Sequence, residues 1–248
     1  MMKTFSMTDV GRRREMNQDY IYTSEVSVGN LPNLFIVADG MGGHNAGDFA
    51  SRYTVENVVE SIAASGLTEP VALLGEALRK VNENLLKLSE ENAQLRGMGT
   101  TFVAATITQD RLNVANVGDS RLYIVNQKIV QVTRDHSLVQ EMVRLGEMNQ
   151  EQARIHPDKN IITRAVGAFK EIEVDYFEIN LKPGDRVLLC SDGLTNMIED
   201  FEIRQIMCSQ RDIVESVERL VAAANQNGGR DNISVIIIDP FSDEVKRC

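Results

Sequence analysis

A chain of 248 residues with 43% hydrophobic and 25% charged residues has the composition of a globular protein with a sizeable core. The formal net charge of −10 argues against a nucleic-acid-binding or anionic-membrane surface. No apolar run reaches the roughly 20 residues of a membrane span, and the N-terminus lacks the apolar core of a signal peptide. Three scattered cysteines exclude a disulfide framework and a zinc cluster. We therefore expect a cytoplasmic protein.

The first half of the chain changes from strand to helix. Apolar runs and alternation predict three strands, at residues 4–10, 20–28 and 33–38. From Ala46, apolar residues recur every three or four positions and predict a helix that ends near residue 66. A second helix is expected to begin at Thr68, with Pro70 in its first turn, and to reach residue 88.

The second half returns to strands and closes with helices. Further strands are expected at residues 100–108, 112–117, 121–126, 128–132, 173–179, 186–191 and 233–238. The first four are spaced like an antiparallel meander. Residues 137–153 have a helical pattern broken at Gly146, and together with the charged residues 154–160 they predict a long, mobile insertion. Two helices, at 201–208 and 212–225, precede the last strand.

Two batches of strands, each accompanied by a helical pair, predict an α+β fold. We expect a central antiparallel β-sandwich flanked by pairs of helices on both faces. No stretch rich in Pro, Gly or Ser divides the chain, so residues 1–248 are expected to form one domain.

Three acidic residues stand at the ends of apolar strands. Asp39 follows the first strongly apolar strand, Asp192 follows another, and Asp231 comes just before the last. If these strand ends meet at one edge of the sheets, the carboxylates would form a site for a hard cation. The alternative is that each Asp-Gly pair is an ordinary hairpin turn. The residues after Gly40 and Gly193 do not resemble a returning strand, which disfavours that alternative.

Several chemistries are excluded by their missing motifs. The chain has no P-loop, no complete dinucleotide fingerprint and no nucleophile elbow. The Arg that a cysteine phosphatase needs six residues after its Cys is also absent, because Asn196 and Val214 hold those positions. Oxygen ligands from Asp favour Mg²⁺ or Mn²⁺, and a pair of such ions is suited to hydrolysis of a phosphoester. An arginine is the natural partner for the phosphate.

Beyond this chemistry, the chain resembles bacterial members of the metal-dependent protein phosphatase 2C family, which remove phosphate from Ser and Thr. The resemblance rests on motifs in the family's order at residues 11–19, 39–47, 97–101, 118–121, 135–137, 190–193 and 229–232. It implies the same β-sandwich with helices on both sides. It also implies two bound Mn²⁺ or Mg²⁺ ions and a weaker third.

The resemblance assigns a role to each matching acidic residue. Asp39 would bridge the two ions, and the carbonyl of Gly40 would help to hold the second. Asp192 and Asp231 would hold the first ion. Asp119 would hold the third ion together with Asp192. Asp19 would support the second ion through water.

Other residues match the family's substrate-binding features or depart from them. Arg14 matches the arginine that binds the substrate phosphate, whereas Arg12 and Arg13 do not. The insertion at 144–161 matches a mobile flap. Gln18 stands where many members have Glu. Met41 stands where many have a His that acts as the general acid, so His44 and a water on the third ion are the candidate proton donors.

These features predict hydrolysis of phosphoserine and phosphothreonine in proteins, opposing a bacterial Ser/Thr kinase. The chain is expected to act as a monomer on phosphorylated proteins, with no nucleic-acid partner and no membrane insertion. Two alternatives remain. One is a non-catalytic phospho-binding module on the same fold. Retention of Asp39, Asp119, Asp192 and Asp231 disfavours it. The other is a regulatory phosphatase specialised for one partner.

Overall fold

Two antiparallel β-sheets lie at the centre of the molecule. The structure is a computed structural model that describes residues 2–43, 46–209 and 212–242. Its strands are β1 (Lys3–Asp9), β2 (Asp19–Ser24), β3 (Leu34–Met41), β4 (Gly99–Thr100), β5 (Phe102–Thr108), β6 (Arg111–Val117), β7 (Arg121–Val125), β8 (Ile129–Gln131), β9 (Asp175–Asn180), β10 (Arg186–Cys190) and β11 (Ile233–Asp239). The first sheet has the order β1–β11–β10–β7–β8. The second has the order β2–β3–β5–β6–β9, with β4 paired to β3.

Helices cover the outer faces of both sheets. They are α1 (Ala46–Ala64), α2 (Pro70–Glu91), α3 (Leu138–Arg144), α4 (Gln150–Ile155), α5 (Asp192–Thr195), α6 (Asp200–Ser209) and α7 (Ile213–Gln226), with a 3-10 turn at Ala93–Leu95. Leu74 and Leu78 of α2 share a core with Ile36 of the second sheet. Met207 of α6 and Leu220 of α7 share another with the first sheet. The predicted sandwich with helix pairs on both faces is confirmed. No helix in the described residues has both the length and the apolarity needed to cross a bilayer.

A third apolar layer fills the space between the two sheets. Phe35 and Val37 of β3 face Leu189 of β10 and Ile236 of β11 across this layer. Their sequence neighbours point the other way, toward the helices, because side chains alternate along a strand. The inter-sheet layer is therefore built from every second residue of each central strand.

At one end, the inter-sheet layer changes from apolar to polar. Continuing the alternation by one step in each strand brings polar side chains into the positions that face the other sheet. These positions are Asp19, Asp39, Thr101, Ser120, Ser191 and Ser234. The hydroxyls of Thr101 and Ser120 lie 2.7 Å apart and link the two sheets directly. The strand pattern that builds the core thus places acidic and hydroxyl groups together at its end.

The structure corrects two sequence-based predictions. The predicted meander is wrong, because β5 and β6 pair in the second sheet whereas β7 and β8 pair in the first. Asp39 does not follow its strand but lies inside β3, opposite Asp19 of β2. In the first case sequence spacing could not distinguish a turn within a sheet from a crossing between sheets. In the second, the apolar run ends before the strand does, because β3 continues through Asp39 and Gly40 to Met41.

The predicted insertion contains two short helices. α3 begins at the N-cap Ser137, whose side chain accepts a hydrogen bond from the Gln140 amide. α4 begins with a capping box between Asn149 and Gln152. The break between them falls at Gly146 and the residues after it, as the sequence predicts. The mobility of residues 144–161 stays a prediction.

Candidate metal and phosphate site

A cavity of about 240 Å³ opens at the polar end of the inter-sheet layer. Six of the residues predicted for the site line it, namely Arg14, Asp39, Gly40, Asp119, Asp192 and Asp231. They come from five separate segments of the chain, since Asp39 and Gly40 are neighbours in β3. The fifth acidic candidate, Asp19, is buried and does not line the cavity, and His44 lies outside the described residues.

Asp19 and Asp39 project side by side from neighbouring strands. They are directly opposed in the β2–β3 pairing, and opposed residues of an antiparallel pair point to the same face. Asp19 is buried, and its Oδ2 accepts a hydrogen bond from the Ser191 hydroxyl at 2.7 Å. Its Oδ1 is buried with no hydrogen-bond partner among the described residues. The Thr101 hydroxyl accepts a bond from the Asp39 amide at 2.9 Å, which fixes the backbone beneath the carboxylate.

Asp192 enters the cavity from the first turn after β10. A Cβ on Gly193 would lie only 1.9 Å from the carbonyl oxygen of Asn232, so only glycine lets these two segments approach so closely. One oxygen of Asp192, Oδ2, accepts a hydrogen bond from Asn196 at 2.7 Å. Its Oδ1 is buried without a partner in the described residues.

Asp231 is paired with the predicted phosphate-binding arginine. Nη2 of Arg14 donates to Oδ2 of Asp231 at 2.8 Å, and the arginine side chain is about half exposed. Of the three consecutive arginines, only Arg14 lines the cavity. Arg12 and Arg13 instead donate from their backbone amides to the carbonyl of Gly229, which anchors the loop. The loop therefore directs one guanidinium toward the carboxylates.

Sequence analysis missed Asn232, which holds the arginine loop in place. Its buried amide group donates to the carbonyls of Val10 and Met16 at 3.0 and 2.9 Å. Its Oδ1 accepts from the amide of Gln18 at 2.8 Å. One side chain thus joins the strand that follows Asp231 to both ends of the loop that carries Arg14. Its position directly after Asp231 was the available signal.

Asp119 reaches the cavity from the crossing between the two sheets. The turn at Asp119 is not a hairpin, because β6 and β7 belong to different sheets. Gly118 has a φ of +105°, which favours glycine. His136 makes two hydrogen bonds with Gly118. Its Nδ1 accepts from the Gly118 amide at 3.1 Å, and its own backbone amide donates to the Gly118 carbonyl at 3.0 Å. Asp175 lies 3.1 Å from the other ring nitrogen of His136.

The two departures from the family pattern both lie in the cavity wall. Gln18 and Met41 line the cavity, and a thioether cannot donate a proton to a leaving group. Asn160, from the predicted flap, lines the cavity as well. A second cavity of about 490 Å³ adjoins the first and shares Asp119 and Asp192 with it. The two cavities meet at these carboxylates.

The carboxyl groups of the site repel one another and resist ionisation. Burial raises the pKa of Asp19 to about 7, and the charges of Asp192 and Asp231 add to the shift. Burial and then the Asp231 charge raise the pKa of Asp192 to about 6. The pKa values of Asp39 and Asp119 are raised well above the ordinary range, first by burial and then by neighbouring carboxylates. A cluster of carboxyl groups with raised pKa values therefore favours the binding of a positive ion.

The residues present fit a hard divalent cation. Ionised carboxylates are oxygen donors, and Asp19 and Asp192 each hold a buried oxygen with no partner in the described part of the chain. Among the described residues, neither a Cys nor a His lines the 240 Å³ cavity. Within residues 2–43, 46–209 and 212–242, no three His, Cys, Asp or Glu side chains already stand close enough together to hold an ion between them.

The fold and this acidic, arginine-bearing cavity define a metal-dependent protein phosphatase. The family model described as Protein phosphatase 2C matches residues 10–236. The chain belongs to the protein phosphatase 2C family.

Named relatives and solved structures agree with this class. The chain is 42% identical to the serine/threonine phosphatase stp of Listeria monocytogenes serotype 4b (strain F2365), over 94% of this chain and 93% of that protein. The crystal structure of the serine/threonine phosphatase Stp1 from Staphylococcus aureus superposes with a TM-score of 0.90 at 34% identity, over 96% of this chain and 94% of that one. The catalytic domain of the phosphatase PstP, crystallised with two manganese ions, superposes with a TM-score of 0.84 at 31% identity, over 96% and 97% of the two chains.

The metal-free protein is expected to lose stability as the pH rises from about 4 to about 7. A carboxyl with a raised folded-state pKa stabilises the fold fully below its unfolded pKa, near 3.8, and this contribution is lost as pH rises through the folded pKa, about 7 for Asp19 and about 6 for Asp192. Burial of His136 lowers its pKa and works in the opposite direction, adding stability above the unfolded value near 6.5, but it is a single group.

Bound Mn²⁺ should remove this pH dependence, because the cation takes the place of the protons. Scanning calorimetry with and without Mn²⁺ measures the effect as a rise in Tm that is larger at the alkaline end of the range. An equal rise in Tm at both ends would contradict the carboxyl assignments.

Proposed function

We propose that this protein hydrolyses phosphoserine and phosphothreonine in proteins, using Mn²⁺ or Mg²⁺ held in the 240 Å³ cavity. The chain is a Ser/Thr protein phosphatase of the protein phosphatase 2C family. The observation that carries the proposal is the convergence of four aspartates from distant segments with a single arginine at the end of the inter-sheet layer. This combination suits a phosphate group that is neutralised by cations and oriented by a guanidinium.

We assign the cation-holding roles as the resemblance implies. Asp39 would be shared by two ions, the Gly40 carbonyl would assist at one, and Asp192 and Asp231 would hold the other. Asp19 would act on these ions through water, a role supported by its place directly opposite Asp39. When bound, such ions supply a water of lowered pKa and neutralise phosphoryl oxygens. Asp119, which shares both cavity walls with Asp192, is assigned to a third ion.

Arg14 orients the phosphate of the substrate. Nη2 of its guanidinium lies 2.8 Å from Oδ2 of Asp231 and neutralises that carboxylate. A cation bound by Asp231 would take over that neutralisation and leave the guanidinium fork for two phosphate oxygens. The half-exposed position of Arg14 lets it turn from one partner to the other without being extracted from the core.

The proton for the leaving seryl or threonyl oxygen must come from a group other than Met41. His44, one candidate, lies outside the described residues. A water held at the Asp119 carboxylate is the other candidate, and it is supported by the place of Asp119 at the junction of the two cavities.

The cellular setting is proposed from the resemblance and the composition. We propose a monomer in the cytoplasm that opposes a bacterial Ser/Thr kinase. The net charge of −10 supports a protein partner rather than a nucleic acid.

Replacing the cation-holding carboxylates should abolish phosphate release. Asp39→Asn and Asp192→Ala each remove a charge for which the dinuclear arrangement has no neutral substitute. Phosphate release from a phosphothreonine peptide should be lost in both variants, lost in the parent with EDTA, and restored to the parent alone by Mn²⁺. Thiol alkylation should have no effect, since the chemistry uses no cysteine. Near-native turnover by either variant at saturating Mn²⁺ would sink the assignment.

Truncating Arg14 should raise KM more than it lowers kcat. Arg14→Ala removes a charge-assisted contact worth about 2 kcal/mol, or roughly thirtyfold in KM. Arg12→Ala and Arg13→Ala are matched controls, because these residues anchor the loop through backbone amides that the substitutions retain. Steady-state kinetics on one phosphopeptide compares all three. Equal effects at the three positions would indicate a diffuse basic patch instead.

Truncating Asp119 should reduce turnover most for a substrate whose leaving group needs a proton. Asp119→Ala should sharply reduce turnover of a phosphothreonine peptide, whose alkoxide is a poor leaving group. Turnover of p-nitrophenyl phosphate, whose phenolate leaves without help, should fall much less. Asp110→Ala, in the exposed turn between β5 and β6, is the control. Equal losses on both substrates would rule out a role for Asp119 in proton supply.

A further inference from the structure

A chain of hydrogen bonds connects the insertion at 144–161 to the cation site. Nζ of Lys159 donates to Oδ1 of Asn196 at 3.0 Å. Nδ2 of Asn196 donates in turn to Oδ2 of Asp192 at 2.7 Å. Lys159, Asn196 and Asp192 all line the 490 Å³ cavity, so the chain runs along the wall between the insertion and the carboxylates. None of the roles assigned above uses Lys159 or Asn196.

The order of donors along this chain is determined by chemistry. An ammonium group has three donors and no acceptor, so it can bind only the oxygen of the Asn196 amide. The NH₂ group of that amide then faces Asp192, whose carboxylate accepts hydrogen bonds when ionised. If Lys159 were removed, the amide could rotate and present its oxygen to the carboxylate, which would repel it. Lys159 therefore selects the amide orientation that suits Asp192.

Because of this hydrogen bond, the two oxygens of Asp192 differ in what they contact. Oδ2 is held by Asn196, whereas Oδ1 is buried without a partner in the described residues. A carboxylate held at one oxygen cannot rotate freely, so its other oxygen presents its lone pairs in a constant direction. Groups that orient a ligand in this way commonly contribute about 10–100-fold to metal affinity.

A second contact ties the insertion to the same segment but does not reach Asp192. Nε of Arg154, in α4, lies 2.8 Å from Oε1 of Glu199, and the glutamate side chain is 67% exposed. The insertion is thus joined to the segment after Asp192 at two points. Only the contact through Lys159 continues to a proposed ligand.

We infer that Asn196 is a positioning residue for Asp192 and that Lys159 of the insertion sets its orientation. The inference rests on the proposed role of Asp192 as a cation ligand. It makes the insertion a support of the cation site as well as a neighbour of it. Cation affinity should then depend on whether residue 159 is docked.

Simple electrostatics predicts the opposite sign for Lys159. A positive charge near a cation site repels the incoming ion, so removal of the charge alone would strengthen Mn²⁺ binding. Loss of the hydrogen-bond chain would weaken it. The direction of the change therefore separates the two explanations.

The test is calorimetric titration of the metal-free full-length protein with Mn²⁺, which needs no substrate and no turnover. Asn196→Leu keeps the side-chain size and removes both polar groups, and it should weaken Mn²⁺ binding by about 10–100-fold. Lys159→Met should weaken binding several-fold, whereas Lys159→Arg, which still only donates, should restore it to within about twofold. The double variant should bind like Asn196→Leu alone, because Lys159 acts through Asn196.

Two further variants control for docking and for charge. Arg154→Met breaks the ion pair with Glu199 and should leave Mn²⁺ affinity within about twofold of the parent. Lys80→Met removes an exposed lysine of α2 and should also have no effect. If Arg154→Met weakened binding as much as Lys159→Met, general docking of the insertion rather than the hydrogen-bond chain would be responsible, and the inference would be wrong.

The remaining outcomes are distinguishable. A parent protein that binds no Mn²⁺ overturns the proposed function and the inference with it. A parent that binds Mn²⁺ while Asn196→Leu binds equally well overturns the inference alone. Tighter binding by Lys159→Met, or additive losses in the double variant, also overturns it. Should Asn196→Leu fail to fold, the Lys159 pair of variants still decides the sign.

Discussion

Buried carboxylates that share the end of one inter-sheet layer repel each other, and much of the structure around them exists to hold them there. Asp19 and Asp39 are brought together by strand pairing, and Asp192 joins them where Gly193 lets two backbones approach. Burial first, and then this repulsion, raises the pKa values of Asp19 and Asp192, so a nearby positive charge is favourable. The protein keeps this unfavourable arrangement because three apolar layers hold the strands that carry it. Such an arrangement of buried carboxylates favours the binding of cations, as proposed for this site.

Some neighbouring side chains stabilise the negative charge of these carboxylates, and others hold in place the segments that carry the charged residues. Arg14 neutralises Asp231, and the Ser191 hydroxyl donates to Asp19. Asn232, by contrast, is uncharged and holds the loop that carries Arg14. His136 does the same for the crossing that carries Asp119. Supporting groups of this kind explain how flexible loops can present charged side chains at constant positions.

The site also combines parts of the chain that differ in how well they tolerate substitution. The carboxylates stand on or beside central strands, whereas Asn160 and Lys159 belong to an insertion with two short helices. Residues from the insertion reach both cavities, which meet at Asp119 and Asp192. Changes in the insertion can therefore alter what approaches the phosphate without disturbing the sandwich. This separation suits a phosphatase scaffold that acts on different proteins.

The sequence alone determined the elements, the sandwich class and the acidic positions, because strand alternation, helical spacing and the Asp-Gly motifs are local patterns. It could not determine that β6 and β7 lie in different sheets, since a crossing and a hairpin have similar spacing. Nor could it reveal Asn232 or Asn196 as supports, because a polar residue near a motif has no pattern of its own. Only the tertiary structure decided which distant oxygens and nitrogens meet, since those contacts depend on how the two sheets pack.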